Sequence, residues 1–172
     1  MAIIKKINNV LPKIAKNCFL ADNAVLIGDV SLQDNCSIWF NAILRGDVNS
    51  IRIGHNVNIQ DNVVVHGTYK KNATTIGNNV SIGHSSVIHG CTVLDNVLIG
   101  MGSIIMDGSI IGSNTIIGAG TVITQNKTIP SNSIFVGNPA RMLEENISSE
   151  KIEIIKKTAT NYINYAKWYH SD

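Results

Sequence analysis

Residues 76–122 read as eight consecutive short units: IGNNVS, IGHSSV, IHGCT, VLDNVL, IGMGSI, IMDGSI, IGSNTI and IGAGTV. Their leading residues are Ile76, Ile82, Ile88, Val93, Ile99, Ile105, Ile111 and Ile117, spaced by six with a single step of five. Glycine fills the second slot at Gly77, Gly83, Gly100, Gly112 and Gly118, and the fifth slot is small or β-branched, as at Val80, Ser86, Val97, Ser103, Thr115 and Thr121. A period of six matches neither the two-residue alternation of a half-buried strand nor the helical repeat. It is the pattern of a parallel β-helix. The large aliphatic points into a triangular prism and stacks on its equivalents above and below, and the Gly or Asn beside it turns the corner. Three hexads complete one coil, which advances the chain by one strand spacing, ~4.8 Å. A β-sandwich of Ile-rich strands would alternate but would not hold glycine at a fixed slot.

The pattern extends backward through Ile27, Leu32, Ile38, Leu44, Ile53, Ile59 and Val65, with breaks at residues 46–52 and 67–75, and forward to Ile123. It stops after Val136-Gly137-Asn138-Pro139-Ala140-Arg141. Beyond it, Ile152, Ile155, Ala159, Ile163 and Ala166 fall at helical spacing, with Ser148 or Ser149 to cap and Glu150 in the first turn. The expected architecture is all-β: a parallel β-helix over residues 1–142, with residues 143–172 forming an amphipathic helix that folds back on the prism.

Composition agrees. The chain of 172 residues carries 28 Ile, 14 Val and 21 Asn against 8 Leu and 10 Ala, and only 5% of it is aromatic. β-Branched side chains suit a pleated surface and crowd a helix, while Asn and Gly tolerate left-handed turns. A helical bundle and disorder are both disfavoured. No apolar run approaches the ~18 residues of a membrane span. The net charge is only +2 and no basic run appears, which argues against a nucleic-acid partner. No signal peptide is legible near the N-terminus. Cys18, Cys36 and Cys91 form no disulfide framework, so a cytoplasmic setting is expected.

Chemistry is expected where a corner glycine is replaced. Arg45, Gln60, His66, His89, Leu94 and Met106 occupy second slots. If the two breaks do not advance the face, Arg45, His66 and His89 stack in one column on successive coils. Gln60, Asp61 and His84 then gather on another face. Two imidazoles one strand spacing apart can converge on an ion, and catalytic zinc takes three protein ligands and leaves a position open. His84 lies on the wrong face to be the third ligand within one chain. A symmetric trimer would resolve this, bringing the corner with His66 and His89 against a neighbour's corner with His84, Gln60 and Asp61. His55 and His170 fall outside the pattern. Cys91, two residues from His89, reads as a small buried filler rather than a thiolate ligand.

The segments Leu44-Arg45-Gly46-Asp47, Asn58-Ile59-Gln60-Asp61-Asn62, Val65-His66, Ile82-Gly83-His84, Ile88-His89-Gly90-Cys91, Ile99-Gly100-Met101-Gly102 and Gly137-Asn138-Pro139-Ala140-Arg141 together resemble the gamma-class carbonic anhydrase family, from about Phe19 to Arg141 and into the helical tail. The resemblance implies a left-handed β-helix and a homotrimer. It makes His66, His84 and His89 the ligands of Zn2+, or of Fe2+ or Co2+, across subunit interfaces. It makes Gln60 the residue that hydrogen-bonds the metal-bound hydroxide, Asn58 a polar lining residue, and Arg45, Asp47 and Asp61 the charged group bracing the interface. The implied reaction is reversible hydration of CO2 to bicarbonate by attack of metal-bound hydroxide. The acidic loop residues that serve as proton shuttle in archaeal members are missing: Asp47 is followed by Val48-Asn49-Ser50, and residues 67–75 contain no acid. Tyr162 resembles a tyrosine that bacterial members place near the metal, although an aromatic on an amphipathic helix also serves packing.

Three alternatives share the repeat. A hexapeptide acyltransferase would use acyl-CoA and one histidine as general base, without metal. A metal-stapled trimer would be a scaffold without turnover. A thioesterase would turn the same hydroxide on a different carbonyl.

Overall fold

The computed structural model describes residues 1–169; His170, Ser171 and Asp172 lie outside the described residues. Twenty strands, most of two or three residues, wind into about seven coils of a left-handed parallel β-helix, and one helix, Ser149–Trp168, follows. Three internal ladders hold the prism. Leu26, Leu44, Val65, Ile88, Ile105 and Ile123 stack on the first face. Ile38, Ile59, Ile82, Ile99 and Ile117 stack on the second. Leu32, Ile53, Ile76, Val93, Ile111 and Ile129 stack on the third. All are buried. Each such side chain contributes about 2 kcal/mol on leaving water, so the leading residue of every hexad is the unit of stability.

The corners divide the work of glycine and asparagine differently from the sequence expectation. The second-slot glycines do not turn the chain. A Cβ on Gly77, Gly83, Gly100 or Gly112 would lie 2.4–2.5 Å from atoms of the next coil, so these positions are empty to let coils approach. The turn sits at the fourth slot, where the backbone is left-handed. Of the fourteen described non-glycine residues with positive φ, twelve are asparagine. Asn35, Asn56, Asn79, Asn96, Asn114 and Asn132 line one corner and pass amide hydrogen bonds of 2.9–3.1 Å from coil to coil. Asparagine tolerates this backbone better than other side chains and adds a ladder that glycine cannot.

The two breaks are shorter than expected. Ile43–Ile53 is one strand running through a corner, with residues 47–50 bulging opposite Asp29. Ile51 and Arg52 are back in register with Thr74 and Thr75. The second insertion folds on itself through the Thr68–Asn72 bridge before the strand Thr74–Ile76 resumes. Neither insertion advances the face.

The outward residues give the three faces different fates. On the second face, the helix seats Ile155 against Leu98 and Ile116, and Ala166 against Phe19 and Trp39. Ser148 caps the helix, its Oγ accepting from the Lys151 N–H. An antiparallel return strand, Arg141–Glu145, which the repeat does not foretell, pairs with Ser133–Val136 and leads into the helix. The third face carries Ser31, Arg52, Thr75, Thr92, Ile110 and Thr128 outward, a mostly polar file. The first face carries Val25, Ile43, Val64, Val87, Ile104 and Val122 outward, all aliphatic and none buried. No described helix is long and apolar enough to cross a membrane.

Candidate metal centre

The histidines stand at the two edges of this aliphatic face. His66 ends the strand Val64–His66 and His89 ends Val87–His89, paired in register one coil apart. His66 Nδ1 lies 3.1 Å from His89 Nε2. Leu44 pairs with Val65, so Arg45 continues the same column. His84 follows Gly83 at the opposite edge, in line with Asp61 on the coil before: the Ser85 N–H donates to the Asp61 carbonyl. The width of the face separates the two edges. Among the described residues no three His, Cys, Asp or Glu side chains converge as a metal-holding group within one chain.

Each histidine has a carboxylate on one ring nitrogen. Asp47 Oδ1 lies 3.0 Å from His66 Nε2, and Asp47 Oδ2 accepts from Arg45 at 2.6 Å. Asp107 Oδ2 lies 3.1 Å from His89 Nδ1. Asp61 Oδ2 lies 2.8 Å from His84 Nδ1. Burial pushes the Asp47 carboxyl upward, but hydrogen bonds from Arg45 and His66 outweigh it and leave it below the ordinary value. The same balance holds for Asp107, where Thr68, Asn72 and His89 outweigh burial.

These contacts decide where the imidazole protons sit. An ionised carboxylate only accepts, so each histidine donates to its aspartate. A neutral imidazole has one N–H to give. With each ring donating to its aspartate, His66 Nδ1 and His89 Nε2 are the nitrogens left to ligate a cation, and they lie 3.1 Å apart. The spacing also fits: nitrogens ~2.0–2.1 Å from a tetrahedral zinc stand about 3.3 Å apart. A carboxylate on the far nitrogen is the usual brace of a metal-ligating histidine. The donor set of His66 and His89 therefore suits a divalent metal, while His84 stands at the other edge with Nδ1 on Asp61.

The remaining expected site residues take supporting positions. Gln60 and Asn58 are buried in one polar chain: Gln60 Nε2 donates to Asn58 Oδ1 at 2.9 Å, and Asn58 Nδ2 donates to Ser81 Oγ at 2.7 Å. Tyr162 packs edge-on to Trp39 with ring centroids 5.5 Å apart. Burial first, then the charge of Asp61, raises its pKa above the ordinary phenol value, which puts it in the electrostatic range of the His84 edge. Cys91 is buried, and burial pushes its thiol up to about 12, as suits a filler. Asp107, Thr68 and Asn72 escape the sequence reading. Thr68 Oγ1 donates to Asp107 Oδ1 at 2.6 Å, so an acid from two coils further along reaches the acid-free insertion after His66. Counting Met106-Asp107 as slots two and three on the histidine face is the signal that finds it.

The bacterial transferase hexapeptide (six repeats) family matches residues 90–125. A carbonic anhydrase of Geobacillus kaustophilus is 39% identical, over 92% of this chain and 86% of that protein. Gamma carbonic anhydrase 1, mitochondrial, of Arabidopsis thaliana is 44% identical over 91% of this chain, which spans only 58% of the plant protein's length. The crystal structure of a hexapeptide transferase family protein from Anaplasma phagocytophilum superposes with a TM-score of 0.92 at 39% identity, covering 97% of this chain and 98% of that one.

Proposed function

Since the chain belongs to the gamma-class carbonic anhydrase family of hexapeptide-repeat proteins, we propose that it catalyses the reversible hydration of CO2 to bicarbonate at metal sites shared between the subunits of a homotrimer. The observation that carries this reading is the set of three histidines, each braced by an aspartate, with His66 Nδ1 and His89 Nε2 only 3.1 Å apart. His66 and His89 of one subunit and the Nε2 of a neighbour's His84 would hold the metal. Zn2+ fits three imidazoles, and so do Fe2+ and Co2+. When bound, the metal makes a nucleophile from water at neutral pH.

The chain's own residues would do the rest. Asp47, Asp61 and Asp107 fix ring orientation and tautomer, so no proton competes for the ligating nitrogens. Arg45 balances the charge of Asp47 at the subunit edge. Gln60, held by Asn58, would orient the attacking oxygen with its side-chain amide, and the aliphatic file of Val64 and Val87 would offer CO2 an apolar approach. Support for the shared site also comes from the faces: the helix covers one, polar side chains cover another, and the aliphatic face between the two histidine edges is bare. A neighbour's opposite edge meets it in a closed ring of three.

The test is metal content, measured in protein purified without air, together with CO2 hydration on the same sample. One metal per subunit and turnover are expected, and His66→Ala removes both. Stoichiometric metal without hydration would sink the enzyme reading while keeping the scaffold. Saturable acetyl-CoA binding by metal-free protein would point to the acyl-transfer alternative instead.

A further inference from the structure

The three cysteines play no part in the site, and two of them are neighbours. Cys18 and Cys36 differ by 18 residues, the length of one regular coil. Phe19 pairs with Ser37, and the Phe19 N–H donates to the Cys36 carbonyl at 2.9 Å, so the cysteines stand in register on adjacent parallel strands. Such positions have Cα atoms ~4.8 Å apart, inside the ~4.4–6.8 Å window for a disulfide. Both are thiols here: the Cys18 Sγ donates to the Gln33 carbonyl at 3.2 Å and the Cys36 Sγ to the Gly54 carbonyl at 3.0 Å.

Their surroundings differ in a way that assigns roles. Cys36 is buried, while Cys18 is half-buried at the first coil. Both line a cavity of about 360 Å³ between that coil and the C-terminal helix, with Lys16, Asn17, Ile163 and Lys167 among its walls. Cys18 is the more exposed of the two and borders this cavity, so it is the thiol that a small solute meets first. The neighbouring Cys36 side chain lowers the Cys18 pKa, against burial and the charge of Asp34, and the same pairing followed by burial raises that of Cys36. Cys91 is buried in the main core.

We propose that Cys18 and Cys36 form a peroxide-reactive site that closes as a disulfide between the first two coils. The Cys18 thiolate attacks the outer oxygen of a small hydroperoxide, the O–O bond breaks, and the alkoxide or hydroxide leaves and takes a proton, giving Cys18 sulfenic acid. The Cys36 sulfur then attacks the Cys18 sulfur. The S–S bond forms, the S–O bond breaks, and the departing hydroxide takes the Cys36 proton to leave as water. Two thiols are oxidised and one peroxide is reduced. A dithiol reverses the closure by exchange.

Peptide mapping of the full chain under non-reducing conditions, after stoichiometric hydrogen peroxide, tests this. A protein lighter by two hydrogens is expected, with a Cys18–Cys36 cross-linked peptide, reversal by dithiothreitol and Cys91 still a thiol. Before oxidation, Cys18 should react with iodoacetamide at least ~100-fold faster than Cys91. In Cys36→Ala, a dimedone adduct should appear on Cys18. The proposal is overturned if both cysteines remain thiols, or if Cys18 gains two or three oxygens while Cys36 is untouched. The wild-type map alone decides the matter should Cys36→Ala fold poorly.

Discussion

Asp107 carries the sharpest residue-scale consequence. It is joined to His89 at 3.1 Å and held in place by Thr68 at 2.6 Å, so its carboxylate fixes both the tautomer and the tilt of one proposed ligand. Outer partners of this kind are worth 10–100-fold in metal affinity. Asp107→Ala should weaken binding of Zn2+ by about that factor in competition with a chromogenic chelator. Asp107→Asn should cost less, because its amide oxygen still accepts from His89 Nδ1. Thr68→Val is the control: it frees the insertion but leaves the Asp107–His89 contact, so its affinity should stay near wild type. Unchanged affinity in Asp107→Ala would mean that the aspartate anchors the insertion and nothing more. Asp107 also supplies the residues after His66, which lack an acid of their own, with a carboxylate from two coils further along.

At the scale of elements, the helix is the part whose stability can be separated from the prism. Ile155 is fully buried and sits with Ile147, Ile134 and Ile116 in a cluster apart from the main core. Ile155→Ala should cost about 3 kcal/mol. Urea unfolding should then split, the helix leaving first and the coils later; a single cooperative transition would mean that helix and prism fold as one unit. Much of this level is legible in the sequence. The hexads locate the interior ladders, the step counting places His66 over His89, and Ser148 with Ile152, Ile155 and Ala159 marks the helix. What is not legible depends on neighbours 18 or more residues away. The second-slot glycines look like turn residues until the next coil is seen to press on them, and the fourth-slot asparagines do the turning. The return strand Arg141–Glu145 has no hexad signature because it runs antiparallel, borrowing its hydrogen bonds from Ser133–Val136. Cys18 and Cys36 look unrelated until one coil is known to be their separation.

For the whole molecule, the faces argue for assembly more strongly than any single residue does. A prism has three faces to protect, and this chain supplies one helix. The polar third face needs no cover. The first face leaves Val25, Ile43, Val64, Val87, Ile104 and Val122 in one partly exposed aliphatic file, the surface that the proposed trimer would cover. The proposed ligands stand on its two edges, so the contact that covers the strip also completes the site, and assembly and metal binding should fail together. Ile104 tests this well, because it is 40% exposed in the single chain and a charge there leaves the interior ladder intact. The wild type should sediment as a trimer and Ile104→Asp as a monomer, with an unchanged far-ultraviolet circular dichroism spectrum. Its metal content should fall to a small fraction of the wild-type value, since His66 and His89 alone leave the third position unfilled. A variant that stays trimeric with full metal would move the interface to another face. A monomer that keeps its metal would show that one chain suffices, and would remove His84 from the site.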